Sequence, residues 1–96
     1  MKPSASLEAN RELIRRIVAM HRGSNPRVFG SVLQGADTEG SDLDLLVDPL
    51  PGTTLFDLGG LQDELEQLMG VHVDVLTPKD LPPKFREQVL AEARPV

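Results

Sequence analysis

Two aspartates one residue apart, Asp42 and Asp44, interrupt the stretch GSDLDLLVD (residues 40–48), which otherwise carries the Leu and Val of a buried strand. Side chains alternate between the faces of a strand, so Asp42 and Asp44 project together while Leu43, Leu45 and Val47 fill the other face. Their Cα atoms are then about 6.5–7 Å apart at a rise of about 3.3 Å per residue, close enough for both carboxylates to reach one cation. A third acid, Asp74, alternates in the same way within VHVDVL (71–76), on a face with His72 and Leu76. It joins the pair if the two strands are neighbours. Three carboxylates converging on one sheet face repel one another and raise each other's pKa unless a cation is present. A few oxygen ligands suit Mg²⁺ or Mn²⁺, which keep waters and lean on substrate phosphates, over Ca²⁺ with its larger cage.

An isolated Asp-x-Asp is more often a solvated pair or a guard on an exposed edge strand. The preceding run Phe29-Gly30-Ser31 shifts that balance, because ten residues separate it from Asp42. Glycine lets a phosphate approach the backbone, and the Ser31 hydroxyl and N–H at the start of a helical turn are natural phosphate donors. A strand, Gly-Ser, an acid pair and a distant third acid together describe a metal-dependent nucleotidyl transfer site. The two histidines, His21 at a helix end and His72 beside the acids, are assigned surface or structural roles.

Alternating helix and strand patterns must position these groups. Ser6 is expected to cap a first helix with Leu7, Leu13, Ile14, Ile17, Val18 and Met20 at helical spacing, ended by Gly23. Arg27-Val28-Phe29 reads as a short strand, residues 32–41 as a helical turn and loop, and Ser41–Asp48 as the second strand, broken by PLPG (49–52). From about Thr54 to Met69, Leu58, Leu61, Leu65 and Leu68 recur as in a helix; Gly59-Gly60 weakens its start and Gly70 suits its end. Residues 71–76 form a third strand, and a last helix runs from about Pro82-Pro83 to Ala93 with Phe85, Val89 and Leu90 expected inward.

Composition limits the partners. With 96 residues the chain is read as a single domain (1–96), large enough for one modest core. It contains no cysteine, its N-terminus lacks a secretory apolar stretch, and no apolar run suggests a membrane span, so a cytoplasmic location and no membrane contact are expected. A formal charge of −5 with no Trp or Tyr makes direct nucleic-acid binding a poor fit. The basic group Arg11, Arg15, Arg16, Arg22 and Arg27 is read largely as a solvated helix face. An acidic chain with apolar residues to spare suits a more basic helical partner, with Leu55 and Phe56 as contacts or, at equal weight, as core.

The stretch FGSVLQGADTEGSDLDLLVD, with HVDVL downstream, resembles the polymerase beta-like nucleotidyltransferase superfamily, and within it the minimal nucleotidyltransferase branch, over about residues 10–93. The resemblance implies an α/β (α+β) nucleotidyltransferase fold, a small mixed β-sheet flanked by helices. It further implies Gly30 and Ser31 on the phosphates of ATP, Asp42 and Asp44 as ligands of two Mg²⁺ ions, and Asp74 as the third carboxylate. Many members of the branch are antitoxins paired with a HEPN-type ribonuclease toxin, some of which transfer AMP from ATP to a tyrosine of the toxin. A HEPN-type toxin is therefore the partner the resemblance implies.

One departure stands out. Where the branch usually reads R-A-R-G after Gly-Ser, this chain has Val32-Leu33-Gln34-Gly35. Losing that positive charge weakens the grip on a triphosphate, leaving a weakly active or purely binding antitoxin as the alternative, with Arg27 and Lys79 as substitutes. A small-molecule, aminoglycoside-like nucleotidyltransferase is the other alternative; lacking room for an acceptor domain, it would act as a homo-oligomer.

Overall fold

The run Leu43, Leu45, Val47 is fully buried, as the period of a strand requires, and the rest of the molecule is arranged around that face. A computed structural model describes residues 1–96. Its elements are α1 (Pro3–Met20), β1 (Gly23–Phe29), α2 (Gly30–Leu33), β2 (Leu43–Pro49), α3 (Leu55–Met69), β3 (Val73–Leu76), a 3-10 turn (Pro78–Asp80), α4 (Pro83–Glu92) and β4 (Arg94–Pro95). The strands form one mixed sheet in the order β3-β2-β1-β4. Strand β1 pairs antiparallel with β2 and β4, whereas β2 and β3, joined through α3, are parallel.

Helices α1 and α3 cover one face. Leu7, Ile14, Ile17 and Val18 of α1 and Leu61, Leu65 and Met69 of α3 close over Val28, Leu43, Leu45, Val47 and Val73 in one core. Thr54 begins α3 with a reciprocal capping box to Asp57, and Gly70 ends it at φ 69°, a left-handed conformation that favours glycine. Gly60 is tolerated inside α3 because it leaves room for the His21 ring, which a Cβ there would meet at 3.3 Å.

Several sequence expectations change. Helix α1 starts at Pro3, and its Ser4 N–H donates to Asp37 Oδ2 at 2.9 Å, across 33 residues. Ser6 is not the cap but a buried residue whose hydroxyl donates to the Met69 carbonyl at 2.9 Å, tying α1 to the end of α3. Gly23 opens β1 instead of closing the helix, which ends at Met20 with His21 as its cap. Phe85 and Leu90 are exposed, and α4 buries no residue fully; Arg86 ties the helix to the carbonyls of Pro78, Lys79 and Leu81. The expected solvated arginine face is partly spent within the chain: Arg11 reaches the Pro95 carbonyl and Arg15 the Val96 carbonyl. No helix is long and apolar enough to cross a membrane.

Candidate active site

The face of the sheet opposite α1 and α3 carries the acids, with the fully buried Leu46 farther along β2. In the parallel register of β2 and β3, Asp44 lies directly beside Asp74, just as Leu43 lies beside Val73. Asp42 sits just before β2 begins, exposed, where the ladder opens at the start of the parallel pair. Three acids far apart in sequence are thus gathered at one end of two adjacent strands.

Asp44 feels that gathering most. Its carboxyl is pushed up from 3.8 to about 6, first by burial, then by the charges of Asp74 and Asp42 and by hydrogen bonding with Asp74. His72 offsets part of this. Mutual repulsion of this kind is the mark of a site with unmet negative charge, which suits a divalent cation, and oxygen donors alone fit a hard one.

Gly30 explains how the neighbouring loop approaches. It opens α2 at φ 73°, and a Cβ there would lie 2.1 Å from Asp44 Oδ2. Only a glycine lets this turn sit against the carboxylate. Ser31 follows in the first turn of α2, half-buried; the N–H groups of such a turn have no intrahelical acceptor and are free to meet an anion. Beside Gly30 opens a cleft of about 300 Å³ between α2 and α4, bordered by Phe29, Leu33, Gln34, Phe85 and Val89. Phe85 therefore lines an opening instead of filling the core.

The structure brings Gly30, Asp42, Asp44 and Asp74 together, with Ser31 adjoining, and it separates the two cations that the sequence offered as substitutes. Arg27 pairs with Asp48, its Nη2 3.0 Å from Oδ1, and Lys79 shares a small cleft with Asp48 and Thr77. Asp48 is four residues beyond Asp44, about 13 Å along the strand at about 3.3 Å per residue, so both cations belong to the opposite end of the sheet. His21 keeps the structural role expected of it, 3.5 Å from Glu64 and packed at Gly60. His72 is exposed, as a surface or structural role requires, and it also adjoins the acids. Its Nε2 lies 3.1 Å from Asp74 Oδ1, and although burial opposes it, Asp74, Asp42 and Glu66 hold its pKa above the ordinary value. Its place two residues before Asp74 was the available signal.

A family profile described as "Nucleotidyltransferase domain" matches residues 11–96. This chain belongs to the nucleotidyltransferase domain family. The chain is 37% identical over 85 residues to a Methanocaldococcus jannaschii relative named "Putative protein adenylyltransferase MJ0435", covering 85% of this chain and 91% of that one. It is also 37% identical over 65 residues to the protein adenylyltransferase MntA of Thermococcus cleftensis, covering 68% and 66% of the two chains. A solved structure described as a "putative minimal nucleotidyltransferase" shares 46% identity, covers 97% of this chain and 95% of its own, and superposes with a TM-score of 0.87. A toxin-antitoxin structure with AMP-PNP has the same fold at 16% identity and a TM-score of 0.71, over 97% of this chain and 71% of that chain. This nucleotidyltransferase thus has the expected fold, a mixed sheet with helices packed on it.

Proposed function

We propose that this nucleotidyltransferase transfers AMP from ATP to a hydroxyl on a partner protein, as an antitoxin that silences a HEPN-type ribonuclease toxin. The observation that carries the reading is the pairing of Asp44 with Asp74 beside Gly30. The names of the two curated relatives favour a protein as the acceptor.

In this mechanism Gly30 and Ser31 take the triphosphate at the backbone and hydroxyl of the turn before α2. Asp42, Asp44 and Asp74 would hold the divalent cations, two of them Mg²⁺ in the simplest case, whose charge neutralises the phosphates and makes the acceptor hydroxyl more acidic. The acceptor oxygen forms a bond to the α-phosphorus as the bond to the bridging oxygen of pyrophosphate breaks in line, so AMP is transferred and pyrophosphate leaves. Asp74, at the open edge of the cluster, accepts the hydroxyl proton. The partner supplies the acceptor. Leu55 and Phe56, 85% and 92% exposed at the start of α3, are the apolar contacts offered to it.

The test is incubation of the purified chain with α-labelled ATP, Mg²⁺ and the candidate toxin. Label should move to the toxin, adding the mass of one AMP, and should not move with Asp42→Asn or Asp44→Asn. Tight toxin binding without transfer would instead establish a binding antitoxin. That second reading draws on Val32-Leu33-Gln34, none of which is basic.

A further inference from the structure

An imidazole stands beside the acid cluster that the chemistry above does not use. The donor atoms of Asp42, His72 and Asp74 all lie within 4.8 Å of one another. His72 Nε2 is 3.1 Å from Asp74 Oδ1, while its Nδ1 is 2.5 Å from Glu66 Oε2. Glu66, on the last turn of α3, is itself held, because the Val73 N–H donates to the same Oε2 at 2.9 Å. One edge of the ring is thus clamped by a fixed carboxylate, and the other edge is turned toward the acids.

Proteins orient metal-binding histidines in this way: the nitrogen away from the metal engages a carboxylate, which sets the ring's orientation and raises its basicity as a ligand. The spacing also agrees. Neighbouring ligands at about 2.1 Å from a six-coordinate ion are about 3 Å apart, from 2.1 Å multiplied by the square root of two. The 3.1 Å between His72 Nε2 and Asp74 Oδ1 matches that edge.

We infer that His72 supplies a nitrogen ligand to the cation held by Asp42 and Asp74, and that this chain therefore prefers Mn²⁺ to Mg²⁺. The inference rests on the carboxylate-held cation of the proposed function and adds a ligand and an ion identity to it. Mg²⁺ is a hard ion that favours oxygen and gains little from imidazole, whereas first-row transition ions bind nitrogen more readily. An imidazole in the ligand set thus shifts the choice of ion without changing the three acids. A purely structural role, a histidine ion-paired between Glu66 and Asp74, would leave that choice where carboxylates alone put it.

The experiment uses the full chain stripped of metal and titrated calorimetrically with Mn²⁺ alone and with Mg²⁺ alone, together with pulsed EPR of the Mn²⁺ complex. Wild type should bind Mn²⁺ about tenfold or more tightly than Mg²⁺, and the EPR signal should show coupling to one imidazole nitrogen. His72→Ala should lose that coupling and about tenfold in Mn²⁺ affinity while Mg²⁺ affinity changes by less than about threefold, within the range that lost metal-site partners produce. Glu66→Gln, which leaves His72 in place and weakens its clamp, should fall between them. The His72 side chain is half exposed, so the variant is expected to fold, and the EPR measurement on wild type needs no variant at all. Mn²⁺ binding without nitrogen coupling, or equal Mn²⁺ affinity in His72→Ala and wild type, would overturn the inference and leave the carboxylate site standing. Failure of wild type to bind either ion, or undiminished Mn²⁺ binding by Asp42→Asn, would overturn both.

Discussion

Replacing Asp44 by Asn should stabilise the metal-free protein at neutral pH. The carboxyl of Asp44 rises from 3.8 to about 6 on folding, chiefly through burial and then through Asp74 and Asp42. A change from 3.8 to about 6 is worth about 3 kcal/mol at about 1.36 kcal/mol for each tenfold change in proton affinity. The side chain is only half buried, and water screens its neighbours, so about half of that, ~1.5 kcal/mol, is the working figure. The direction follows from linkage. Because the folded pKa lies above the unfolded one, the group costs nothing below about pH 4, where both states are protonated. Stability is then lost as pH rises through about 6 and the folded carboxylate must ionise beside Asp74 and Asp42. The amide of the variant keeps the shape and cannot ionise, so the substituted protein escapes the loss. At about 4–8 °C per kcal/mol for a domain of this size, its melting temperature in EDTA at pH 7.5 should exceed that of wild type by about 6–12 °C. At about pH 3.5, below the unfolded value, the two should converge. Calorimetric melts of both proteins across that pH range read this directly. A variant that melts below wild type at pH 7.5, or a gap that does not change with pH, would show that Asp44 makes structural bonds outweighing the repulsion.

Three other substitutions probe the phosphate turn, the exposed start of α3 and the contact between α1 and α3. Gly30→Ala places a Cβ 2.1 Å from Asp44 Oδ2 at a φ of 73°, so it should cost at least about 2 kcal/mol and abolish transfer; retention of both stability and activity would mean the close approach is dispensable. Phe56→Ala should change stability by no more than about 0.5 kcal/mol, since the ring is 92% exposed, while weakening toxin binding about tenfold in a titration; a large fall in melting temperature would return Phe56 to the core. Ser6→Asp distinguishes a cap from a buried anchor, because aspartate caps as well as serine does, whereas next to the Met69 carbonyl it buries a charge and should cost more than about 3 kcal/mol in a denaturant melt.

Periodicity made much of the site legible. The alternation through residues 42–48 by itself opposes Asp44 to Leu43, Leu45 and Val47, all three of which are fully buried, and the same period in 71–76 orients Asp74. The spacing of Gly30-Ser31 from the acids, the helix ending at Gly70, and the resemblance to the nucleotidyltransferase family were also readable along the chain. All of these are local properties, set by bonds and torsions within a few residues. Tertiary structure decided the rest. Whether Asp44 met Asp74 depended on the parallel register of β2 and β3, where a slip of one residue would have sent one of the two acids to the buried face. Ser6 looked like a cap because its type and position in the sequence suit one, yet the packing of α1 against α3 turned its hydroxyl to a carbonyl 63 residues away, and Asp37 took over the capping from a distant loop. Two-residue β4 was too short to carry a periodic signal, and the exposure of Phe85 followed from where α4 lies. Arg27 was drawn to Asp48, and His72 was set between Glu66 and Asp74, by cross-strand and helix-to-strand contacts that no local pattern encodes. A side chain's face is fixed by its own backbone, but its partner is fixed only when separate elements dock, and the electrostatics of this site depend on the partners.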